Sequence, residues 1–397
     1  MLDFESFSGV KTNENNKEIL IDLWVALVSR EASIAGRKEV LSGKAKFGIL
    51  GDGKEIPQLV MSKFFQKGDY RAGYYRDQTF MFHKGLATIN EFFAQLYADS
   101  ERDPFSMGRQ MNNHFATAFT DKTGNWLNLT ERYNVTSDIS STAAQMARAY
   151  GIAMASKKYK KIKNITDSHL FSKSGKEVCF CTIGDASTSE GAFWETMNAA
   201  AVNEVPLAVI IWDNGYGISV PKEMQTTKGD ISSAIYGLQI EGSSNGIQIY
   251  KVKAGDYNEL HSTFGKAISL CRNEYIPVLI HVIDVTQPLG HSTSGSHERY
   301  KSKERLEWEK NNDPNELFIN WIVENNFADL NDIETLRENA RVYVKIKKKE
   351  AWDSFILSSK KYLDHLINIF NIAAKTNPDN QNIISLYFNY KVVYPQQ

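Results

Sequence analysis

The sequence is short of the features that mark several large protein classes. Cysteine is rare: three in 397 residues, Cys179, Cys181 and Cys271. That odd number, at these spacings, fits neither a disulfide framework nor paired zinc knuckles. Cys179 and Cys181 alternate along an apolar run and read as core packing in a reducing compartment. Neither sign of charge is in excess. Lys+Arg 46 against Asp+Glu 47 leaves -1, which offers nothing to a polyanionic backbone or an anionic leaflet, so nucleic acid and membrane are excluded as general partners. Long hydrophobic runs are missing as well. The longest, Pro206 to Trp212, has strand length and falls far short of the roughly 20 residues that span a bilayer. Met1 to Ser6 carries neither a basic n-region nor an apolar h-region, so no secretory signal is read there, and a soluble, cytoplasmic protein is expected. What is present suffices for burial: 42% hydrophobic and 12% aromatic residues with 23% charged exclude wholesale disorder.

The length would suit two or three ordinary domains or one large doubly wound unit with an extension. From Asn15 to Leu41 the spacing of Ile19, Leu23, Trp24, Leu27 and Val28 predicts an amphipathic helix. Residues 44–114 then turn rich in glycine and aromatics, a loop-like character that often carries function. The middle is the most legible part. Strands are predicted at Glu177–Ile183, Pro206–Trp212, Ile247–Val252 and Pro277–Val285, alternating with helices at Glu190–Asn203 and Tyr257–Arg272. Continuous apolar strands such as Leu207 to Ile211 imply burial on both faces, the mark of a parallel sheet between helical layers. The expected fold is therefore α/β: a doubly wound parallel sheet flanked by helices over residues 15–311, then a helical extension and tail over 312–397. The charged run from Ser296 to Asn311, His297 included, reads as a solvated loop or short helix. Asn331 with Glu334 reads as a capping box, and the stretch from Thr376 to Gln397 as a poorly ordered tail.

The chemistry concentrates at two strand ends. Gly184-Asp185-Ala186-Ser187 follows the first buried strand and Asp213-Asn214-Gly215-Tyr216 follows the next. In an open parallel sheet, loops after adjacent strands meet at the ligand crevice, so Asp185 and Asn214 are expected to converge. A carboxylate and an amide oxygen suit a hard cation such as Mg²⁺, which keeps substrate phosphates and water among its ligands. The helix after Glu190 would offer its positive end to the same phosphates. Taken singly, Gly-Asp and Asn-Gly are ordinary turns. Together they occupy consecutive strand ends of one βαβ unit. Gly51-Asp52-Gly53 repeats part of this pattern, but Phe80, Met81 and Phe82 stand where its distal amide should be, so it is set aside.

Gly184 to Gly191, Trp212 to Ser219 and Gly290-His291-Ser292-Thr293-Ser294 resemble the alpha subunit of thiamine-diphosphate-dependent 2-oxo acid dehydrogenases, the branched-chain type more than the pyruvate or acetoin types. The resemblance extends over about residues 15–310. It implies thiamine diphosphate and Mg²⁺, with Asp185, Asn214 and the main-chain carbonyl of Tyr216 on the metal. It also implies that Gly184, Ala186 and Ser187 lie along the diphosphate, that Tyr74, Tyr75 and Arg76 grip its far end, and that the catalytic residue His291 sits on a loop ordered by cofactor. A segment from Ile139 to Thr142 should meet the aminopyrimidine, with Ser140 and Thr142 as the named candidates. The Gly108-to-Met111 loop, with Arg109, and His114 also match. The same resemblance implies a beta subunit, or fused beta half, in an α₂β₂-type assembly and a lipoyl-bearing acyltransferase. It implies too that a 2-oxo acid is oxidatively decarboxylated, with acyl transfer to lipoyl. Three positions depart from the pattern: Ala186 and Asp213 replace a glycine and an asparagine, and Gln287 replaces an arginine. Two other readings stay open, a non-catalytic diphosphate-binding subunit and an unrelated Mg²⁺-dependent nucleotide-binding protein. The second lacks any P-loop or strand-following Gly-x-Gly-x-x-Gly.

Overall fold

Eight strands are formed by the β-branched and aromatic runs: β1 (Tyr70–Ala72), β2 (Asn134–Val135), β3 (Cys179–Gly184), β4 (Leu207–Trp212), β5 (Tyr216–Gly217), β6 (Val220–Pro221), β7 (Gln248–Lys253) and β8 (Val278–Ile283). They come from a computed structural model that describes residues 2–376 together with residues 382 and 385. Six strands make one sheet in the order β2-β1-β3-β4-β8-β7. All of its pairings are parallel, and β5 and β6 form a separate antiparallel hairpin. The four strands expected from the sequence are all present, displaced by at most two residues, in a doubly wound parallel sheet.

Both faces of the sheet are covered, which explains the unbroken apolar runs. Cys179, Cys181, Ile183, Val209 and Ile211 point toward Met146, Ala149, Phe193 and Met197, on the helices Gln145–Lys161 and Gly191–Asn203. The alternate residues Phe180, Ala208, Ile210 and Trp212 join a second cluster with Leu59, Phe80 and Phe264. The cysteines are thus buried and free, as core residues. Each such side chain, fully removed from water, stabilises the fold by roughly 1.5–3 kcal/mol.

Several boundaries move for local reasons. The first long helix runs Lys17–Leu41, beginning two residues later than expected. The amide of Asn13 donates to Asn16 Oδ1 at 2.7 Å and that of Asn16 to Asn13 Oδ1 at 3.0 Å, a turn that competes with helix. The capping residues of the last helix, Leu330–Thr376, are Asp329 and Asp332 rather than Asn331 and Glu334: Asp332 N donates to Asp329 Oδ1 at 2.8 Å. Its first half buries Ile333, Leu336, Ala340 and Tyr343 in the same core cluster as the sheet, so the extension beyond residue 311 is packed against the main unit. Ile356, Leu357, Tyr362, Ile369 and Ile372 farther along are exposed. Apart from Thr376 and residues 382 and 385, the tail expectation lies outside the described residues. No helix among the described residues is long and apolar enough to cross a membrane.

Candidate functional site

The register of the sheet assembles the site. Gly184 lies opposite Trp212, so the next residues, Asp185 and Asp213, leave adjacent strand ends side by side, with Asn214 one step beyond. The loops after β1 and β8 bring Tyr74 to Asp77 and Thr286 to Ser292 to the same carboxyl edge of the sheet.

Asp185 is buried at 6% exposure, and its Oδ2 has no hydrogen-bond partner. Burial, then the neighbouring charge of Asp213, pushes its carboxyl well above the usual aspartate range. Asp213 is treated oppositely. His281 Nε2 stands 2.9 Å from its Oδ2 and Lys222 Nζ 3.3 Å, while Gly215 N donates to its Oδ1 at 2.8 Å. Despite burial, these partners hold its pKa below the usual value. The extra carboxylate at the family's asparagine position is therefore engaged away from the crevice. Asn214 Oδ1 accepts from Tyr216 N at 3.0 Å. Tyr216 pairs across the hairpin with Pro221, which has no N–H to give to the Tyr216 carbonyl. Ala186, within the 3-10 turn Asp185–Ser189, keeps a negative φ, so the family's glycine is not required there.

In the loop after β1, Arg76 is buried at 3% exposure. It donates to Leu50 O at 2.8 Å and to His291 O at 2.8 Å, and its Nη2 is 3.2 Å from His291 Nδ1. Since a guanidinium only donates, His291 Nδ1 accepts and the ring proton resides on Nε2. Burial, with Arg76 and then Lys54 as positive neighbours, pushes the His291 pKa down to about 4, so the ring is neutral at neutral pH. The loop is tethered further by Arg37, which donates to Leu289 O at 2.9 Å and Ser292 O at 3.2 Å, and by Thr293 N to Gly48 O at 3.0 Å.

Tyr74 is buried and Tyr75 half-buried. Tyr75 stacks on His114 with ring centroids 5.7 Å apart, and His114 Nε2 lies 2.7 Å from the Ser140 hydroxyl. Ser140 and Thr142 are both exposed, but Ser140 joins the Tyr75 wall through its bond to His114. Arg109 is exposed. Gly184 and Ser187 are half-buried beside Tyr74: a Cβ on Gly184 would sit 3.8 Å from the Tyr74 hydroxyl and 3.9 Å from Ser187 Oγ.

Other participants escaped the sequence. Arg71 is fully buried and bridges Asp77 and Asp138 at 2.7 Å and 3.1 Å, while donating to Tyr74 O at 3.0 Å; it stiffens the Tyr74–Arg76 loop from behind. Burial pushes Asp138 up to about 7 despite Arg71. The charged run is not simply solvated. Lys301 and Glu309 form a buried pair at 2.7 Å, and Arg305 donates to Asn214 O at 2.9 Å, clasping the Asn214 loop; His297 is half-buried. Asp52, in the triplet set aside above, accepts from Leu289 N at 2.8 Å. Lys54 Nζ donates to Gln287 Oε1 at 2.5 Å, the residue where the resemblance implies an arginine. The only signal for these two was a glycine-flanked polar triplet, discounted because its spacing to a second strand end was wrong.

With this geometry in place, comparison with known proteins defines the class: residues 25–358 match the family described as Dehydrogenase E1 component, and the chain belongs to it. Among relatives, it is 26% identical over 343 residues to "2-oxoisovalerate dehydrogenase subunit alpha 1, mitochondrial" of Arabidopsis thaliana, covering 85% of this chain and 62% of the relative. It is 25% identical over 326 residues to "2-oxoisovalerate dehydrogenase subunit alpha" of Bacillus subtilis, covering 82% and 88%. A "Pyruvate dehydrogenase E1 component subunit alpha" of Rickettsia bellii matches at 27% over 168 residues, 42% of this chain and 49% of the relative. The chain thus spans just under two thirds of the length of the plant relative.

Proposed function

We propose that the chain is the alpha half of a thiamine-diphosphate-dependent decarboxylating first component of a 2-oxo acid dehydrogenase complex, with branched-chain 2-oxo acids as substrates. The observation that carries this reading is Asp185 Oδ2, buried and unpartnered at the end of β3, at the same carboxyl edge of the sheet as the loops that hold Arg76 and His291. A carboxylate in that state calls for a cation, and the Arg76 guanidinium calls for an anion; a Mg²⁺-diphosphate supplies both. Among the described residues no three His, Cys, Asp or Glu side chains converge on one point. Asp185, Asn214 and the Tyr216 carbonyl would therefore hold Mg²⁺ with its remaining positions left to diphosphate oxygens and water.

When bound, thiamine diphosphate would supply the carbanion chemistry that lets carbon dioxide leave a 2-oxo acid. The chain's own part is binding and orientation. Arg76 fixes the anion with two carbonyls as its backstop. His291 presents a neutral ring whose Nε2–H can donate to a developing charge. Tyr75, His114 and Ser140 form a rigid wall beside the Arg76 loop.

The described residues contain one six-stranded sheet and one hairpin, with no second doubly wound unit for the aminopyrimidine. This supports a beta partner, separate or fused, in an α₂β₂-type assembly. Ile218 at 62% and Met224 at 78% exposure lie just past the Asn214 loop, an apolar rim suited to such a partner, and acyl transfer to a lipoyl-bearing acyltransferase follows from the reading. The 2-oxoisovalerate relatives match over 85% and 82% of this chain at 26% and 25% identity, and a pyruvate dehydrogenase E1 alpha relative of Dictyostelium discoideum over 77% at 24%; this modest margin supports branched-chain substrates ahead of pyruvate or acetoin. The test is co-expression with a beta chain and a decarboxylation assay across 3-methyl-2-oxobutanoate and pyruvate, with acetoin, which has no carboxyl group to lose, followed by reduction of an artificial electron acceptor. Turnover by the alpha chain alone would overturn the partner reading, and tenfold better use of pyruvate would overturn the substrate reading.

A further inference from the structure

Lys54 precedes the helix Glu55–Phe64 and is buried at 1% exposure. Other deeply buried cations of the fold are matched by carboxylates: Arg30 by Glu55 and Asp313, Arg71 by Asp77 and Asp138, Lys301 by Glu309. Lys54 forms no such pair among the described residues. Its ammonium meets only neutral acceptors, Gln287 Oε1 at 2.5 Å and the carbonyls of Asp52 and Thr286 at 3.4 Å each. The carboxylates of Asp52, Glu55 and Asp185 favour its charged form from nearby without bonding it, and burial together with Arg76 outweighs them; an anion bonded directly to the ammonium would offset that cost.

The surroundings point the same way. Thr286 Oγ1, Gln287 Nε2 and Asp52 Oδ1 are buried without hydrogen-bond partners, so two free donors flank the ammonium. Gly53, with φ +81, permits this approach: a Cβ there would lie 2.0 Å from Thr286 O. Arg76 is the other buried cation whose hydrogen bonds go to carbonyls, and its charge adds to burial in pushing Lys54 down to about 7. Both charges also act on His291. Lys54 thus stands within electrostatic reach of both Arg76 and the unpartnered Asp185 carboxyl.

We propose that Lys54 is a further diphosphate ligand of this chain, its ammonium taking an anionic oxygen together with Thr286 Oγ1 and Gln287 Nε2 and forming a cationic wall with Arg76, beside the neutral donor His291. The inference rests on the thiamine-diphosphate reading given above and adds a residue to it.

The test is Lys54→Met, which keeps the unbranched stem and removes the charge. Binding of Mg²⁺-thiamine diphosphate and of Mg²⁺-pyrophosphate to the full chain is measured by calorimetry, and thermal stability is measured without ligand. The expected result is a loss of affinity of about 10- to 150-fold for both ligands, the worth of a hydrogen bond to a charged group. It is accompanied by unchanged or raised stability of the ligand-free protein, since an unpaired buried charge has gone. Affinity within threefold of wild type would overturn the assignment while leaving the cofactor reading intact. So would lowered stability of the free variant with unchanged affinity, the pattern of a structural lysine. Absence of binding of either ligand to the wild-type chain would overturn both. Lys54→Gln, smaller and still polar, serves as the second variant and is expected to lose affinity in the same range.

Discussion

The isosteric change Asp185→Asn separates the two demands that the site places on one side chain. In the ligand-free protein the carboxyl is buried with one oxygen unpartnered, and its folded pKa stands well above the usual aspartate value because of burial and Asp213. Below the unfolded aspartate pKa both states are protonated and nothing is lost. As pH rises the unfolded chain releases its proton first, so the stability of the free protein falls until the folded pKa is passed. Asp185→Asn cannot ionise, so that fall disappears, and at pH 8 the free variant should match or exceed wild type by about 1 kcal/mol. Loading reverses the order. Removing one partner of a buried charge contact costs roughly 3–5 kcal/mol, or two to three orders of magnitude in affinity. Ligand at a hundred times the wild-type Kd stabilises wild type by about 2.7 kcal/mol, and a protein whose Kd is a hundredfold weaker by only about 0.4 kcal/mol. The assay is urea unfolding from pH 4 to 8, with and without Mg²⁺-thiamine diphosphate, beside calorimetric titration. Unchanged affinity in Asp185→Asn would refute the metal assignment. A drop of 2 kcal/mol or more in the free protein would show that the carboxylate already had a partner.

Arg76→Lys keeps the charge but loses the fork that reaches both Leu50 O and His291 O, and should weaken Mg²⁺-pyrophosphate binding about tenfold by calorimetry. Ser140→Ala, by freeing His114, should raise the cofactor Kd several-fold more than Thr142→Ala; equal effects would remove Ser140 from the Tyr75 wall. Arg71→Met leaves Asp77 and Asp138 buried without their bridge and should lower stability to urea by about 3–5 kcal/mol. Met224→Glu should weaken assembly with a co-expressed beta chain, read by light scattering, while leaving Mg²⁺-pyrophosphate binding unchanged.

The central sheet was legible because its signal is local. Leu207 to Trp212 is apolar at every position, and only a strand with helices on both faces accommodates that, so four strands and their end loops followed from pattern alone, while the short strands β1 and β2 and the order of the six did not. The nearness of the two strand-end loops was legible for the same reason, since the register that sets Gly184 opposite Trp212 starts the Asp185 and Asp213-Asn214 loops at neighbouring strand ends. What escaped depends on encounters between distant segments. Lys54 meets Gln287 across 233 positions and Arg305 meets Asn214 across 91. Nothing in the composition around Lys54 or Arg305 distinguishes either from a surface cation; Arg71, by contrast, sits in a short strand whose two acidic partners lie 6 and 67 positions away. Gly51-Asp52-Gly53 was judged by the spacing of one known motif, yet its use is different: Gly53 allows a close approach to Thr286, and Asp52 anchors the start of the His291 loop. Charged runs mislead similarly, because Lys301 and Glu309 are eight positions apart and meet only when the turn before the helix Lys303–Asn311 folds back along it.

Asp213 shows how a departure from the family pattern can be absorbed without loss of the site. Two carboxylates leaving adjacent parallel strands cannot both be ionised cheaply when buried side by side. The chain resolves this asymmetrically. His281, on the neighbouring strand β8, and Lys222, just beyond the hairpin, approach Asp213 Oδ2, and the Gly215 amide serves Oδ1, so the charge settles there and the side chain is committed to the sheet side. Asp185, denied any protein partner for Oδ2, then faces that fixed negative charge as well as its own burial. Backbone amides and Lys54 favour its ionised form without outweighing burial and Asp213, and a cation bound at Oδ2 would tip that balance. The substitution at 213 thus sharpens the site's electrostatics: it raises the penalty for an ionised Asp185 in the empty protein and so increases the protons released when metal binds. Calorimetry in buffers of different ionisation enthalpy reads that release directly. Wild type should give up protons on loading with Mg²⁺-pyrophosphate, and Asp213→Asn, which removes the opposing charge, should give up fewer. Equal release from the two proteins would break the link between Asp213 and the state of Asp185.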